Sequence, residues 1–313
     1  MPNKTRILRW GLLSTARINT ALFEPLRLAA RSELYAVASR DLKKAANYAC
    51  AQHIPHAYGS YEEMLDDPKI DVVYNPLPNH LHAEWTIRAL EAGKHVLLEK
   101  PFALTVAEVQ AVADAARRTG RVVAEAFMYR HQQQTLKVQE LVREGVLGEV
   151  RVMQGSFSFV LDNPQDFRWQ SGQGGGAIWD IGCYPVSYMR MLAGAAPLSV
   201  YGAQTMSSTG VDLTFVGQMT FPKGVFGQFY CSFGLPFSAR MEIRGTKGTL
   251  TIPALFSPHK DLLPVILRRG EVEEELAVPP INLYLGEVED MERAILDGAA
   301  PRISLEESKD NIT

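Results

Sequence analysis

The feature that most constrains this chain is a rhythm: through its first 126 residues, short apolar runs alternate with helix-length amphipathic stretches. Runs of strand length lie at 6–13, 34–39, 71–74, 95–98 and 122–126. Between them the apolar period changes to that of a helix, over 16–30 with Ile18, Leu22, Phe23 and Leu26 on one face, and over 41–52, 80–92 and 105–118. A shorter helix is expected at 60–65, with Ser60 as its N-cap and Glu62 and Glu63 in its first turn. Strands joined through helices pair in parallel with right-handed crossovers, which gives an α/β doubly wound parallel sheet. Such a sheet binds ligands beyond the carboxyl ends of its strands. The places to search are therefore 14–15, 39–40, 75–82, 99–101 and 125–130.

After about residue 128 the rhythm changes. A helix at 132–144 leads into β-rich sequence at 149–160, 200–207, 211–221, 225–233, 239–244 and 249–252, with glycine-containing turns such as Pro222-Lys223-Gly224 and Gly245-Thr246-Lys247-Gly248 between several runs. Helices are expected at 178–192 and 284–296. This reads as a C-terminal α+β domain on a mostly antiparallel, open-faced sheet, whose uncovered side would expose apolar residues such as Val225 and Phe229. The expected domains are 1–127 and 128–313, in line with a length prior of about 150 residues per domain. Ser304-Leu305-Glu306-Glu307 opens a last helix that the chain leaves at Thr313, before it could bury a face.

Composition removes several classes of function. Lys plus Arg (32) and Asp plus Glu (35) leave a formal charge of −3, without the basic excess of a nucleic-acid binder. No apolar run approaches the roughly 18 residues of a membrane span. Residues 1–9 lack the apolar region and cleavage site of a signal peptide. Three widely separated cysteines, Cys50, Cys183 and Cys231, do not make a disulfide framework. The expectation is a cytoplasmic protein with neither nucleic acid nor membrane as partner.

The first strand ends in Ser14-Thr15-Ala16-Arg17-Ile18-Asn19. A dinucleotide site places glycines at the positions of Ser14, Ala16 and Asn19, so that backbone approaches a pyrophosphate. The glycine pattern fails here, although small side chains remain at the first two positions. The other reading is an ordinary βα turn. The second strand ends in Ser39-Arg40-Asp41. Ser39 stands where NAD sites carry an acid, and Arg40 offers a fork-shaped cation suited to the 2′-phosphate of NADP. Alternatively Arg40 is solvated and Asp41 caps a helix. In Asn75-Pro76-Leu77-Pro78-Asn79-His80-Leu81-His82, two prolines stiffen the loop and Asn79 could cap the next helix; no Cys or carboxylate cluster accompanies the two histidines, so no metal is expected. Lys100 of Glu99-Lys100-Pro101 points into the ligand crevice, unless it pairs with Glu99 on the surface. In Gly174-Gly175-Gly176-Ala177-Ile178-Trp179-Asp180-Ile181-Gly182-Cys183-Tyr184, a pliable glycine loop precedes a helix that carries Asp180 and Tyr184 at i and i+4. An acid and a phenol on one turn could exchange protons, or a core Tyr could simply be bonded to a nearby Asp. Cys183 reads as a small buried residue, not a nucleophile.

Taken together, these segments, with Trp10-Gly11, Phe102 and Glu125-Ala126-Phe127-Met128-Tyr129-Arg130, resemble the Gfo/Idh/MocA oxidoreductases over essentially the whole chain. That group contains glucose–fructose oxidoreductase, inositol and xylose dehydrogenases and dimeric dihydrodiol dehydrogenase. The resemblance implies an N-terminal Rossmann domain and a C-terminal domain whose open-faced sheet commonly mediates oligomers, here a homodimer or homotetramer. It implies that Lys100 lies beside the nicotinamide and the reacting hydroxyl, and that Asp180 and Tyr184 are the active-site pair. Tyr at the second position is similar to the glucose–fructose-oxidoreductase-like and dihydrodiol-dehydrogenase-like branch. Against the family, the fingerprint glycines are replaced and the terminal helix is short.

On this reading the cofactor is NADP, with NAD as the alternative, held by Ser14, Thr15, Ala16, Arg17, Ile18, Ser39, Arg40, Pro76, Leu77, Asn79, His82, Glu99 and Lys100. The substrate is a sugar or polyol held by Lys100, Arg168, Trp169, Asp180 and Tyr184. A free phenol, with a pKa of about 10, is a poor base at neutral pH, and a nearby ammonium favours its ionised form. Tyr184 is therefore expected as acid/base, with Lys100 as its electrostatic partner and Asp180 orienting a sugar hydroxyl or the Lys. The rival expectations are a trans-dihydrodiol dehydrogenase with a less polar pocket and a non-catalytic NAD(P)-binding regulator.

Overall fold

The computed structural model describes residues 6–256, 263–279 and 282–313, so the first five residues of the stretch read for a signal peptide lie outside it. The chain divides into two compact units.

The first unit contains a six-stranded, wholly parallel sheet built from β1 (Leu8–Leu13), β2 (Ser32–Ala38), β3 (His56–Tyr58), β4 (Val72–Asn75), β5 (His95–Glu99) and β6 (Val123–Ala126). Its order, β3-β2-β1-β4-β5-β6, reverses direction between β1 and β4, the switch point where such sheets open a crevice. Leu8, Trp10, Leu12 and Leu13 are fully buried because helices cover both faces, which is why β1 reads as a nearly continuous apolar run. The helices are α1 (Thr20–Leu28), α2 (Leu42–Gln52), α3 (Tyr61–Leu65), α4 (His82–Glu91) and α5 (Val106–Thr119). Ser60 caps α3 as expected, and α5 begins in a Thr105/Glu108 capping box and ends at Gly120 in a left-handed conformation. The sequence reading missed β3: three residues, none fully buried, leave no apolar period to detect.

The second unit, Tyr129–Leu283, opens with α6 (Gln133–Arg143). Its eight-stranded sheet comprises β7 (Val150–Ser158), β8 (Ser199–Met206), β9 (Asp212–Phe221), β10 (Val225–Ser232), β11 (Ser238–Gly245), β12 (Thr249–Ile252), β13 (Val265–Arg269) and β14 (Val272–Leu276), in the order β14-β13-β12-β11-β7-β10-β9-β8. All pairs are antiparallel except β7 with β10. The last two strands were not expected, because the acids of Val272-Glu273-Glu274-Glu275-Leu276 mask any alternation. Helix α7 (Cys183–Ala193) packs on β7 and β10, burying Tyr188 and Met189. One register step corrects the expected open face. Phe229 is only 6% exposed and Val225 is partly covered, while Phe226 (44%) and Tyr230 (38%) point outward. With a side-chain period of two, neighbouring positions take opposite faces.

The chain then returns to the first unit: Tyr284–Thr313 belong with the residues up to Met128, so the expected assignment of 128–313 to one domain does not hold. The cause is local packing. Val288 and Met291 of α8 (Leu285–Leu296) join the core of Leu22, Leu26, Trp10 and Leu12. Glu292 accepts from the Arg31 main chain (2.9 Å) and the Ser32 hydroxyl (2.8 Å), and Arg31 grips Asp297 with two bonds of 2.7 and 2.8 Å. Helix α9 (Leu305–Ile312) is short but does bury a face: Leu305 and Ile312 pack on the core under α5, and Ser308 donates to the buried Glu125 at 2.6 Å. Among the described residues no helix is long and apolar enough to cross a membrane, and the three cysteines are free thiols.

Candidate active site

In the first unit the expected cofactor residues all fall at the carboxyl ends of β1, β2, β4 and β5. Ser14 leaves β1 with φ 78°, the left-handed conformation that a fingerprint glycine normally supplies. Its amide donates to the Ala38 carbonyl (3.0 Å), and its own carbonyl accepts from the side-chain amide of the fully buried Asn19 (2.9 Å). A side-chain bond thus closes a turn that glycines close elsewhere. Ser14, Thr15 and Ala16 are half-buried, and Arg17 and Ile18 enter a 3-10 turn before α1. At the end of β2, Ser39 is buried and Arg40 exposed; Asp41 caps α2 by accepting from Lys43 and Lys44 N–H groups at 2.8 and 3.2 Å.

Within the loop after β4, the buried Asn75 donates to the His82 carbonyl (3.2 Å) and the Thr86 hydroxyl (3.0 Å). Pro76 is half-buried, whereas Leu77 joins the core. Asn79 starts a 3-10 turn (Asn79–Leu81) that leads directly into α4 at His82. The His82 ring is wedged between the carbonyls of Leu77 (2.7 Å) and Pro101 (2.8 Å), tying the β4 loop to the β5 loop. Burial pushes its pKa down to about 4, against the two carbonyls that favour protonation. Glu99 accepts from the Tyr74 hydroxyl (2.5 Å) and from the Lys100 main chain (3.3 Å); Lys100 itself is half-buried. Glu125, in the last segment searched, is a buried structural acid that also takes the Phe102 N–H at 3.0 Å.

The second unit holds Arg168, Trp169, Asp180 and Tyr184. Asp180 lies in a π-helical turn (Ile178–Gly182) that runs directly into α7, whose second residue is Tyr184. An α-helix was expected throughout; single π turns of this kind concentrate at functional sites. Both side chains are buried. The Tyr184 ring sits among Tyr129, Phe157 and Phe256 at centroid distances of 5.9, 5.2 and 5.3 Å, which fixes its plane. Trp169 packs edge-on against Phe233 at 5.5 Å. Arg168 donates through Nε to Asp180 Oδ2 at 2.7 Å, and its Nη1 lies 3.2 Å from both oxygens of Asp166. The Asp180 charge first, and Asp166 second, hold this guanidinium still further into its charged form against burial.

The glycine loop is tight where a pliable one was expected. A Cβ on Gly175 would stand 2.4 Å from the Arg168 carbonyl oxygen, and one on Gly176 (φ 121°) 2.1 Å from Asp212 Oδ1. Asp212 accepts from the Ile178 N–H at 2.8 Å, anchoring the start of the π turn, and burial pushes its pKa up. Asp212, Asp166 and Asn19 were missed in the sequence; an acid opening a strand is itself an unusual choice that could have marked Asp212. Cys183 donates weakly to the Asp180 carbonyl (3.5 Å). Among the described residues no three His, Cys, Asp or Glu side chains form a metal-binding group.

Comparison with known proteins follows the same two segments. The family model for the oxidoreductase family with an NAD-binding Rossmann fold matches residues 8–127, and that for the GFO/IDH/MocA C-terminal domain matches 135–251. The chain is 37% identical over 303 residues to D-xylose 1-dehydrogenase (NADP(+)) 2 of Haloferax volcanii, covering 96% of this chain and 92% of that one. It is 35% identical over 249 residues to trans-1,2-dihydrobenzene-1,2-diol dehydrogenase of Sus scrofa, covering 78% and 74%. Its fold superposes with a TM-score of 0.92 on KijD10, a 3-ketoreductase from Actinomadura kijaniata solved with NADP and TDP-benzene, at 29% identity and covering 98% and 95% of the two chains. With both halves of its sequence matched and relatives of this identity along most of its length, the chain belongs to the GFO/IDH/MocA oxidoreductase family.

Proposed function

We propose that the protein is an NADP(H)-dependent oxidoreductase that moves a hydride between the nicotinamide and a hydroxyl-bearing carbon of a sugar or related polyol. The observation that carries this reading is the Asp180–Tyr184 pair, two buried polar side chains held on consecutive turns, one by Arg168 and the other by three aromatic rings. The end of β1 fits a dinucleotide: Ser14 supplies a left-handed turn, and Ala16 keeps the approach to the helix open. The exposed Arg40 beside Ser39 fits a 2′-phosphate, and the xylose dehydrogenase and KijD10 are both NADP proteins. The bound nicotinamide supplies the hydride acceptor or donor. Tyr184 exchanges the hydroxyl proton, Lys100 favours the ionised phenol and donates to the substrate oxygen, and Asp180 accepts from a neighbouring hydroxyl. Ser14 to Ile18, Ser39, Arg40, Pro76, Leu77, Asn79, His82 and Glu99 line or brace the cofactor, and Trp169 offers the substrate an aromatic edge. The outward face of the second unit's sheet serves self-association. The aromatic surroundings of Tyr184 favour one second reading, an aromatic trans-dihydrodiol as substrate.

The test is NADP⁺-dependent turnover across aldoses, inositols and aromatic trans-dihydrodiols. Tyr184→Phe keeps the ring's packing and removes the exchangeable proton, so kcat should fall about 10²- to 10⁴-fold with NADP(H) binding nearly unchanged. Lys100→Met should do comparable damage and move the pH–rate profile. An active Tyr184→Phe beside a dead Lys100→Met would make Lys100 the base. Tight NADP(H) binding with no turnover of any of the three classes would mark a regulator.

A further inference from the structure

Arg168 was expected to line the substrate pocket, but its guanidinium is already engaged. Nε donates to Asp180, and Nη1 faces both oxygens of Asp166, which turns back to accept the Arg168 main-chain N–H as well (3.1 Å). The Arg168 carbonyl takes the Gly176 N–H (3.0 Å), and its guanidinium lies 5.1 Å over the Phe167 ring. Two carboxylates face this single cation, so the cluster is net negative and has no surplus positive charge with which to recruit an anionic ligand. A guanidinium bonded to a carboxylate does two things: it fixes the carboxylate's direction, and it stabilises the ionised form.

We infer that Arg168 is a positioning residue that acts through Asp180: fixed by Asp166, it aims the Asp180 carboxylate and keeps it an ionised hydrogen-bond acceptor. The inference rests on the reading of Asp180 and Tyr184 as the catalytic pair, and it divides their labour. Asp180 accepts from a substrate hydroxyl without taking up or releasing a proton, which leaves proton exchange to Tyr184. Asp166 then matters to the reaction although it sits one partner removed from it.

The experiment compares wild type, Arg168→Gln and Arg168→Lys for kcat, substrate KM and the pH–rate profile, and follows the Asp180 carboxyl by 13C NMR with Asp180→Asn for assignment. Arg168→Gln should lower kcat by about 10- to 100-fold through misplacement. It should also move the acid limb of the profile to higher pH, so that raising the pH recovers part of the loss. Arg168→Lys should restore the acid limb but not the full rate, because an ammonium keeps the charge without the fork. A raised substrate KM with kcat and pH profile unchanged would make Arg168 a substrate ligand and overturn the inference. So would an Asp180 carboxyl that titrates alike in wild type and Arg168→Gln. Should Arg168→Gln fail to fold, Arg168→Lys decides: lowered kcat at constant KM supports the inference, and raised KM at constant kcat overturns it. Failure of the underlying reading is separate, since it would appear as undiminished kcat in Asp180→Asn, while the carboxyl titration needs no turnover.

Discussion

Arg40 is the side chain on which the proposed preference for NADP(H) turns. It is exposed at the carboxyl end of β2, the acid that would hold a ribose 2′-hydroxyl is replaced by Ser39, and the neighbouring Asp41 is turned away into the N-cap of α2. A charge-assisted hydrogen bond contributes about 1.5–3 kcal/mol, so Arg40→Ala should weaken NADP(H) binding by roughly tenfold or more and leave NAD(H) nearly unaffected. Titrating both cofactors by fluorescence checks this, and an equal loss for the two would reassign Arg40 to adenine stacking. At this scale the sequence located the motifs but could not sort their members. Asp41 as a cap follows from its own neighbours and was readable. His82 bridging to Pro101 depends on the approach of a second segment, and Asn19 closing on Ser14, though local, depends on a left-handed turn that a non-glycine sequence does not announce. Asp212 binds Ile178 from far along the chain, and only its unusual place at the head of a strand could mark it. Asp166 meets Arg168 just two residues on, in a turn with no apolar period to flag it.

Among the elements, the glycine loop and the π turn behind it carry most of the site. Gly175 lies against the Arg168 carbonyl so closely that an added methyl must displace the strand of chain that holds Arg168. Gly172, three residues earlier, has open space where its Cβ would be. Gly175→Ala should therefore destabilise the protein by about 1–3 kcal/mol, as overpacking does, and lower kcat with it, whereas Gly172→Ala should leave melting temperature and activity as they were. Thermal melts and initial rates on the pair check this; indifference to Gly175→Ala would mean that the loop relaxes freely. The run of glycines is visible in the sequence but its tightness is not, because the atoms that crowd it come from the Arg168 carbonyl, folded back on the loop, and from Asp212, far along the chain. Elements with long apolar periods were legible, as β1, α5 and β10 illustrate. Those without them were not: β3 has three residues and β14 carries acids at its three central positions, while α9 was legible as a helix but not in the face it buries with Leu305, Ser308 and Ile312 over barely two turns.

For the whole molecule, the two edges of the eight-stranded sheet differ in a way that matters for assembly. The β14 edge carries Glu273, Glu274 and Glu275, charges of the kind that keep edge strands from pairing with other chains. The β8 edge has no charged residue, and all eight of its residues are exposed, with Val200 at 71% and Tyr201 at 73%. The exposure continues inward across the sheet. Tyr230 pairs with Val216 and Val216 with Ala203, and Gln228, Gln218 and Tyr201 form the next row of the same outward face. A monomer seldom leaves a face with this many large apolar side chains, Phe226, Tyr230, Val216 and Tyr201 among them, open to water. A second copy is the economical partner, because a symmetric interface uses the same patch twice. Light scattering at micromolar concentration should therefore give a mass of at least two chains. Val216→Glu, which would place a charge in the middle of that face, should shift the mass to one chain with circular dichroism unchanged, since a buried unpaired charge is far costlier than an exposed one. A wild type that already scatters as one chain would show that this face stays open in solution, and would remove self-association from the account of the protein.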